Sequence, residues 1–174
     1  MKDINGTYLC IASRLDSKRL PHKGVRIINN LPLIELLVIR LKAYFQANKI
    51  IICTSNEDIN RPLIDISDRQ STNIYFGEKL DVMKRFLDAG SQYDDCETIV
   101  RITGDNPLTD PICMKNMIQS HLKNQADYTY TESIPRGLRS EVIDFQYLRN
   151  LHQRVDNPGL TEYMTYYLKS GSSK

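Results

Sequence analysis

Short apolar runs recur along the chain, and each one ends in polar or glycine-containing residues. Runs of this length, apolar on successive positions, are typical of strands buried on both faces of a sheet. Two later runs are shorter or more polar, and we interpret them as strands as well. We predict strands at residues 7–12, 49–54, 73–76, 98–103, 128–130 and 141–145.

Segments with helical spacing of apolar residues lie between these strands. Pro32 precedes a strongly apolar stretch and is well placed for a first helical turn, while Asp110 and Pro111 are suited to cap and open another helix. We predict helices at residues 33–41, 60–69, 80–92, 111–123, 146–154 and 160–168.

The alternation of strands and helices predicts the class of fold. It indicates βαβ units, and therefore an α/β fold with a mostly parallel sheet and helices on both faces, in three layers. The loops after Ala12, Cys53, Phe76 and Thr103 should then share one edge, where such sheets bind ligands. We expect one domain over residues 1–169 and a flexible tail at 170–174.

Composition and charge argue against some classes of function. The 174 residues are 41% hydrophobic and 25% charged, as in an ordinary soluble domain, and the net charge of +2 predicts no nucleic-acid partner. No apolar run approaches about 20 residues, so no membrane insertion is expected. The four cysteines form no CxxC pair, and the N-terminus has no apolar core of signal-peptide length. We expect reduced thiols and a cytoplasmic protein.

The loop after the first strand, residues 13–23, carries most of the candidate chemistry. It contains hydroxyl and cationic side chains suited to bind phosphate oxygens: Ser13, Arg14, Ser17, Lys18, Arg19, His22 and Lys23. The alternative is a solvated surface loop.

A carboxylate, Asp105, follows the fourth strand and should lie at the same sheet edge. A carboxylate facing a polyphosphate requires a cation between them, and Mg²⁺ held by one or two carboxylates and substrate phosphates is the common arrangement. The alternative is a plain turn, because Gly-Asp-Asn-Pro favours turns without any metal.

Two further segments have both a functional and a structural interpretation. In residues 135–141, Glu141 could give the metal a second carboxylate and Arg136 could hold an anionic substrate; otherwise the segment is an edge turn with solvated charges. In residues 76–86, Asp81 could lie near a ribose or substrate. Otherwise the charged side chains there form the solvated face of a helix: Glu78, Asp81, Lys84 and Arg85.

Taken together, these segments resemble a known family. Residues 13–23 (SRLDSKRLPHK) resemble the nucleotide-binding signature of cytidylyltransferases that activate acidic sugars, such as the sialic acid and 3-deoxy-manno-octulosonate synthetases. Residues 100–111 look like a later motif. Residues 77–86, 135–141 and 160–167 are similar to the GExDVLxRF, PRGLDVE and EHVTPYI segments of the branch named for spore-coat polysaccharide biosynthesis protein F.

The resemblance implies a Rossmann-like nucleotidyltransferase fold and the transfer of CMP from CTP to a sugar, with an acidic sugar expected, Mg²⁺ as cofactor and pyrophosphate as product. A homodimer is a possible assembly. The implied catalytic residues are Arg14, Lys23 and Asp105, and the metal ligands are Asp105 and Glu141. The nucleotide would contact Arg14, Ser17, Lys18, Arg19, Lys23, Thr54, Ser55 and Arg101. The sugar would contact Asp81, Asn106 and Arg136.

Three positions depart from the motifs. Asp16 and His22 stand where the family loop has glycine, and Arg139 stands where the later motif has aspartate. These departures leave a second hypothesis open, a non-catalytic module or subunit that binds nucleotide or sugar. A third is a nucleotidyltransferase that uses another base or a sugar phosphate.

Overall fold

The structure is a computed structural model, and it describes residues 4–17, 20–155, 161 and 164–171. Its strands are Thr7–Ala12 (β1), Ile27–Ile28 (β2), Leu31–Pro32 (β3), Ile50–Ser55 (β4), Asn73–Gly77 (β5), Thr98–Thr103 (β6), Tyr128–Thr129 (β7) and Glu141–Asp144 (β8). Its helices are Leu33–Lys42 (α1), Pro62–Gln70 (α2), Val82–Gly90 (α3), Pro111–Asn124 (α4), Phe145–His152 (α5) and Met164–Gly171 (α6).

Six strands form one mixed sheet in the order β5-β4-β1-β6-β8-β7. The strands β5, β4, β1 and β6 are parallel, and β8 runs antiparallel to both of its neighbours. At the carboxyl ends, Ala12 is in register with Cys53 on one side and with Thr103 on the other. The loops after these four parallel strands therefore share one edge, as predicted.

Helices cover both faces of the sheet because successive strand residues point to opposite sides. Tyr8 and Cys10 of β1 pack in one apolar core with residues of α3, α5 and α6. Leu9 and Ile11 pack in a second core with residues of α1, α2 and α4. The predicted three-layer α/β fold is confirmed.

A β-hairpin that the sequence analysis missed follows the first loop. β2 and β3 pair across Asn29 and Asn30, which have φ angles of 49° and 65°. Two successive positive φ values are typical of the type I′ turn, in which asparagine is well tolerated. Pro32 accordingly ends β3 and precedes α1, which begins at Leu33, so the predicted place of Pro32 in the first helical turn is corrected.

Element boundaries differ from the predictions mainly at the ends. α3 is shorter than predicted, because Asp81 caps it and Val82 begins it. α6 continues to Gly171, through two residues of the predicted tail, while residues 172–174 and the start of the last predicted helix lie outside the described residues. Within the described part of the chain, no helix is long and apolar enough to cross a bilayer.

Candidate active site

The loop after β1 begins between the carboxyl ends of β4 and β6. The Ser13 amide donates to the Cys53 carbonyl at 3.2 Å, and the Gly104 amide donates to the Ala12 carbonyl at 2.8 Å. A Cβ on Gly104 would lie 2.9 Å from Ser13 Cβ, closer than real Cβ contacts allow. Glycine at 104 therefore lets the loops after β1 and β6 approach each other.

Lys23 and Asp105 form an ion pair between these two loops. Lys23 Nζ lies 2.6 Å from Asp105 Oδ2, and both side chains keep a large exposed fraction, 35% and 47%. His22, just before Lys23, has φ 55° and ψ 25°, and its amide donates to the Leu15 carbonyl at 3.0 Å. This left-handed residue folds the loop back so that Lys23 faces the loop after β6.

Two of the other predicted nucleotide-binding residues of this loop form hydrogen bonds to the backbone. Arg14 Nη1 donates to the Lys79 carbonyl at 3.0 Å, and Ser17 Oγ accepts from the Leu20 amide at 3.4 Å. Lys18 and Arg19 lie outside the described residues. Arg14 and Ser17 are therefore at the carboxyl edge with Lys23.

The departure at Asp16 is accommodated by ion pairs. Asp16 Oδ2 lies 2.8 Å from Lys79 Nζ, and its Oδ1 lies 3.7 Å from Arg14 Nε. The hydrogen bond from Lys79, with the nearby Arg14 charge, lowers the pKa of Asp16 although partial burial opposes this shift. Lys79 also contacts Glu57 Oε1 at 2.7 Å.

Thr54 and Ser55, the predicted nucleoside neighbours, are fully buried at the end of β4. Ser55 Oγ donates to Glu57 Oε2 at 3.1 Å and accepts from Asn60 Nδ2 at 2.9 Å. Asn60 is also fully buried, and its Oδ1 accepts from the Leu15 amide at 2.9 Å. Asn60 thus joins the loops after β1 and β4, a role that no sequence pattern indicated.

A cleft of about 340 Å³ opens beside this edge, between β6, β8 and the segment that joins β7 to β8. It brings together four predicted site residues, Arg101, Asn106, Arg136 and Glu141. Its lining is completed by Thr103, Tyr130, Thr131, Glu132, Arg139, Ser140, Thr165 and Lys169.

Hydrogen bonds inside the cleft occupy Glu141. Its carboxylate pairs with Arg101, and its Oε1 accepts from Tyr128 at 2.5 Å and from Thr165 at 2.9 Å. Burial, followed by the charge of Glu141, raises the pKa of the Tyr128 phenol, so Tyr128 stays a neutral donor. Glu141 therefore anchors this part of the cleft wall through three donors.

Positive charge exceeds negative charge among the remaining cleft residues. Lys169 Nζ pairs with Glu132 Oε1 at 2.9 Å. Arg139 Nε and Nη2 donate to the carbonyls of Ile134 and Glu132, at 2.7 and 3.0 Å. In the described part of the chain the Arg136 side chain forms no hydrogen bond or ion pair, and the residue is exposed. Among those described residues, neither the Arg136 nor the Arg139 guanidinium forms an ion pair with a carboxylate.

A known protein family matches the part of the chain that carries this geometry. A family model described as cytidylyltransferase matches residues 9–169. The chain belongs to the cytidylyltransferase family. The match includes the loop after β1, Asp105 and the cleft, so the resemblance inferred from the motifs is confirmed.

Two curated relatives of the cytidylyltransferase chain cover nearly all of it. An uncharacterized protein of Methanocaldococcus jannaschii is 32% identical over 158 residues, 91% of this chain and 65% of that protein. The spore coat polysaccharide biosynthesis protein SpsF of Bacillus subtilis is 28% identical over 172 residues, 96% of this chain and 71% of that protein. The chain thus spans 65% and 71% of the lengths of these two relatives.

Solved structures show the same cytidylyltransferase fold. A cytidylyltransferase from Leptospira borgpetersenii matches with a TM-score of 0.89 and 24% identity, over 96% of this chain and 72% of that chain. A CMP:2-keto-3-deoxy-manno-octonic acid synthetase, solved in complex with CTP, matches with a TM-score of 0.71 and 13% identity, over 95% and 86%. The predicted Rossmann-like nucleotidyltransferase fold is therefore confirmed.

Asp81 lies outside the residues that line the cleft of this cytidylyltransferase chain. It caps α3 by accepting from the Lys84 amide at 2.9 Å, and it also contacts His152 Nε2 at 2.7 Å and Thr161 Oγ1 at 2.9 Å. Arg85, predicted on a solvated helix face, is buried at 1% exposure, which corrects that alternative for Arg85. Lys84 forms an i,i+4 ion pair with Asp88, which the sequence did not single out.

The two predicted metal ligands have different surroundings. Asp105 is half exposed and faces the loop after β1, whereas the carboxylate of Glu141 is already bonded by three donors. Within the described residues, no group of three or more histidine, cysteine, aspartate and glutamate side chains could hold a metal ion. One carboxylate at the carboxyl edge of the sheet still fits Mg²⁺, which commonly takes its other ligands from phosphates and water.

Proposed function

We propose that this chain transfers CMP from CTP to a sugar and releases pyrophosphate, as a step in the synthesis of a surface polysaccharide. The main support for this proposal is the ion pair between Lys23 and Asp105 at the carboxyl edge of the sheet, in a chain that belongs to the cytidylyltransferase family. The curated relative named for spore coat polysaccharide biosynthesis supports the pathway. The structural neighbour solved with CTP supports the nucleotide.

The reaction requires positioning and charge neutralisation. A sugar oxygen attacks the α-phosphorus of CTP, a new O–P bond forms, and the bond to the bridging oxygen breaks as pyrophosphate leaves. In this proposal Arg14 and Lys23, which lie in the loop after β1, neutralise charge on the triphosphate, and the attacking oxygen comes from the sugar. No nucleophilic side chain of the protein is therefore required. The proton of the sugar hydroxyl leaves to solvent.

Mg²⁺ is the proposed cofactor, and Asp105 is the residue that would hold it. When bound, the ion would offset negative charge on the phosphates. Lys23 now contacts the Asp105 carboxylate and can move to phosphate oxygens, because its side chain is partly exposed and flexible. Glu141 stays a predicted second ligand, although Arg101, Tyr128 and Thr165 already bond to it.

The cleft is the proposed site for the acceptor, and its charge supports an acidic sugar. Arg136 and Arg139 line it, and neither forms an ion pair with a carboxylate in the part of the chain that the structure describes, so an anionic group on the sugar would supply a counter-charge. Asn106 lines the same cleft and follows Asp105, which links the proposed sugar and phosphate sites. The proposed location is the cytoplasm, where CTP is available and the four free cysteines stay reduced.

A nucleotide-binding but non-catalytic module is the second candidate. The observation that favours it is the Asp16 carboxylate, which lies in the loop proposed to approach the triphosphate. Both candidates predict CTP binding, but only the first predicts turnover. A homodimer stays a prediction in either case.

Pyrophosphate release distinguishes the two candidates. With CTP, Mg²⁺ and a panel of acidic sugars, the chain should release pyrophosphate, and Asp105→Asn should reduce kcat/KM at least about a hundredfold by removing the carboxylate at the reacting phosphates. Asp95→Asn is the matched control. Asp95 pairs with Lys49 at 2.6 Å, the same distance as in the Lys23–Asp105 pair, but at the opposite edge of the sheet.

The outcomes separate the candidates as follows. No turnover on any sugar, while CTP still raises the unfolding temperature, would favour the binding module. If the Asp95 variant lost as much activity as the Asp105 variant, the proposed role of the carboxyl edge would be wrong. If no nucleotide bound, both candidates would fail.

A further inference from the structure

Lys79 lies between two carboxylates at the border of the proposed triphosphate loop. Its Nζ contacts Asp16 Oδ2 at 2.8 Å and Glu57 Oε1 at 2.7 Å, and its carbonyl accepts from Arg14 Nη1 at 3.0 Å. Asp16 and Arg14 follow β1, Glu57 follows β4, and Lys79 follows β5. One residue therefore connects three of the four loops at the carboxyl edge of the sheet.

Asp16 creates an electrostatic problem for a loop that receives a triphosphate. An aspartate carboxylate is ionised at neutral pH, and the hydrogen bond from Lys79 lowers the pKa of Asp16 further. An ionised carboxylate repels phosphate unless a cation compensates its charge. Arg14 is 3.7 Å away, beyond a hydrogen bond, whereas Lys79 makes direct contact.

The positive charge of Lys79 lies close enough to the Asp16 carboxylate to compensate its negative charge. The side chain of Asp16 is 22% exposed, so its charge is only partly screened by solvent, while that of Lys79 is 43% exposed. The lysine end of the pair is well exposed to solvent, and ion pairs of exposed lysines contribute little to protein stability. An effect of Lys79 on a nearby anion can therefore be measured without a large change in folding.

We propose that Lys79 is a positioning residue for CTP: it neutralises Asp16, draws that carboxylate toward β5, and holds Arg14 through its own carbonyl. Lys79 acts through Asp16 and Arg14, without contact with the nucleotide. The charge of Lys79 thereby lets the chain keep aspartate at a position where the family motif has glycine. This inference rests on the proposed binding of CTP at the loop after β1.

A double-mutant cycle tests the inference. Lys79→Met should raise the Kd and the KM for CTP about tenfold, because an uncompensated carboxylate then faces the phosphates, with a smaller change in kcat. Asp16→Gly alone should bind CTP at least as tightly as the wild type. The double variant Lys79→Met/Asp16→Gly should regain wild-type affinity, and Lys79→Arg should retain most of it.

Two matched controls test whether the location of the lysine matters and which carboxylate it acts through. Lys84→Met removes a lysine of similar exposure, 47%, whose carboxylate partner Asp88 lies on α3, and it should leave the CTP affinity unchanged. Lys79→Met/Glu57→Gln tests the other carboxylate and should not restore affinity. Calorimetric titration with CTP and Mg²⁺ gives each Kd, and steady-state kinetics give KM and kcat.

Three results would overturn the inference: an unchanged CTP affinity in Lys79→Met, no rescue by Asp16→Gly, or rescue by Glu57→Gln instead. A loss of kcat with an unchanged KM would also contradict it. A wild-type chain that does not bind CTP would instead refute the proposed function. The wild-type measurement thus separates the two failures.

Discussion

Three side chains differ from the family motifs, and each has contacts of its own. His22 takes a left-handed conformation with φ 55°, which glycine adopts most easily and which histidine tolerates better than most residues. Asp16 contacts Lys79, and Arg139 donates to two carbonyls of the cleft wall. These substitutions are therefore accommodated locally while the backbone keeps the family fold.

Arg136 offers a direct test of the acidic-sugar proposal. Arg136→Met should raise the KM for a carboxylate-bearing sugar about tenfold or more, because a charge-assisted hydrogen bond of about 1.5–3 kcal/mol is lost, and should leave the KM for CTP unchanged. Stability should change little, since within the described residues the Arg136 side chain has no hydrogen bond or ion pair to lose. Steady-state kinetics with each substrate varied in turn measure both KM values.

The control for Arg136 is Arg149→Met, because Arg149 is exposed on α5, against the Phe145 ring and away from the cleft lining. It should change neither KM. Equal KM values for the acidic sugar in wild type and Arg136→Met would remove Arg136 from the acceptor site.

The sequence predicted some residues of the carboxyl edge and could not predict others. Lys23 and Asp105 were expected there because each lies in a motif beside a buried strand, and their contact is possible because β1 and β6 are parallel neighbours. Asn60 and Lys79 were missed as linking residues. Their roles depend on which loops the strand order brings together, and no local pattern encodes that order.

At the scale of elements, buried strands were the most predictable part of the chain. The central strands β1 and β4 are apolar over most of their length and β6 over half of it, because they are covered on both faces. The β2–β3 hairpin was missed because its strands have two residues each, although the Asn-Asn pair between them is a usable signal for a type I′ turn.

The N-terminus of α3 gives a prediction at this scale. Asp81 accepts from the Lys84 amide and contacts His152 and Thr161, and it is 8% exposed. Asp81→Ala should lower the free energy of unfolding by about 2–3 kcal/mol, since it removes a helix cap and leaves buried polar partners unsatisfied. Chemical denaturation measures the change.

Asp110→Ala is the matched variant, because Asp110 also caps a helix, through the amides of Ile112 and Cys113. It should cost about 1 kcal/mol. Equal losses in both variants would show that His152 and Thr161 add nothing to the cap. A higher acceptor KM in Asp81→Asn at unchanged stability would instead support the predicted substrate role of Asp81.

At the scale of the whole molecule, the net charge of +2 is small, so attraction of a triphosphate must come from the local cations after β1. The three-layer fold places this loop at a fixed edge by burying β1 between two cores. Binding of CTP at that edge should therefore stabilise the entire domain, because the site is assembled only when the sheet is folded.

Thermal unfolding measures this coupling. At about 100 times its Kd, CTP should add about 2.7 kcal/mol and raise Tm by about 5–10 °C. CMP at the same concentration should raise Tm less, because it lacks the two phosphates proposed to contact Arg14 and Lys23.

Raising the salt from 0.1 M to 1 M shortens the Debye length from about 10 Å to about 3 Å. Since the Lys23–Asp105 pair is largely exposed, salt should shrink the CTP shift more than the CMP shift. Equal shifts for CTP and CMP at both salt concentrations would mean that the loop after β1 does not bind the triphosphate.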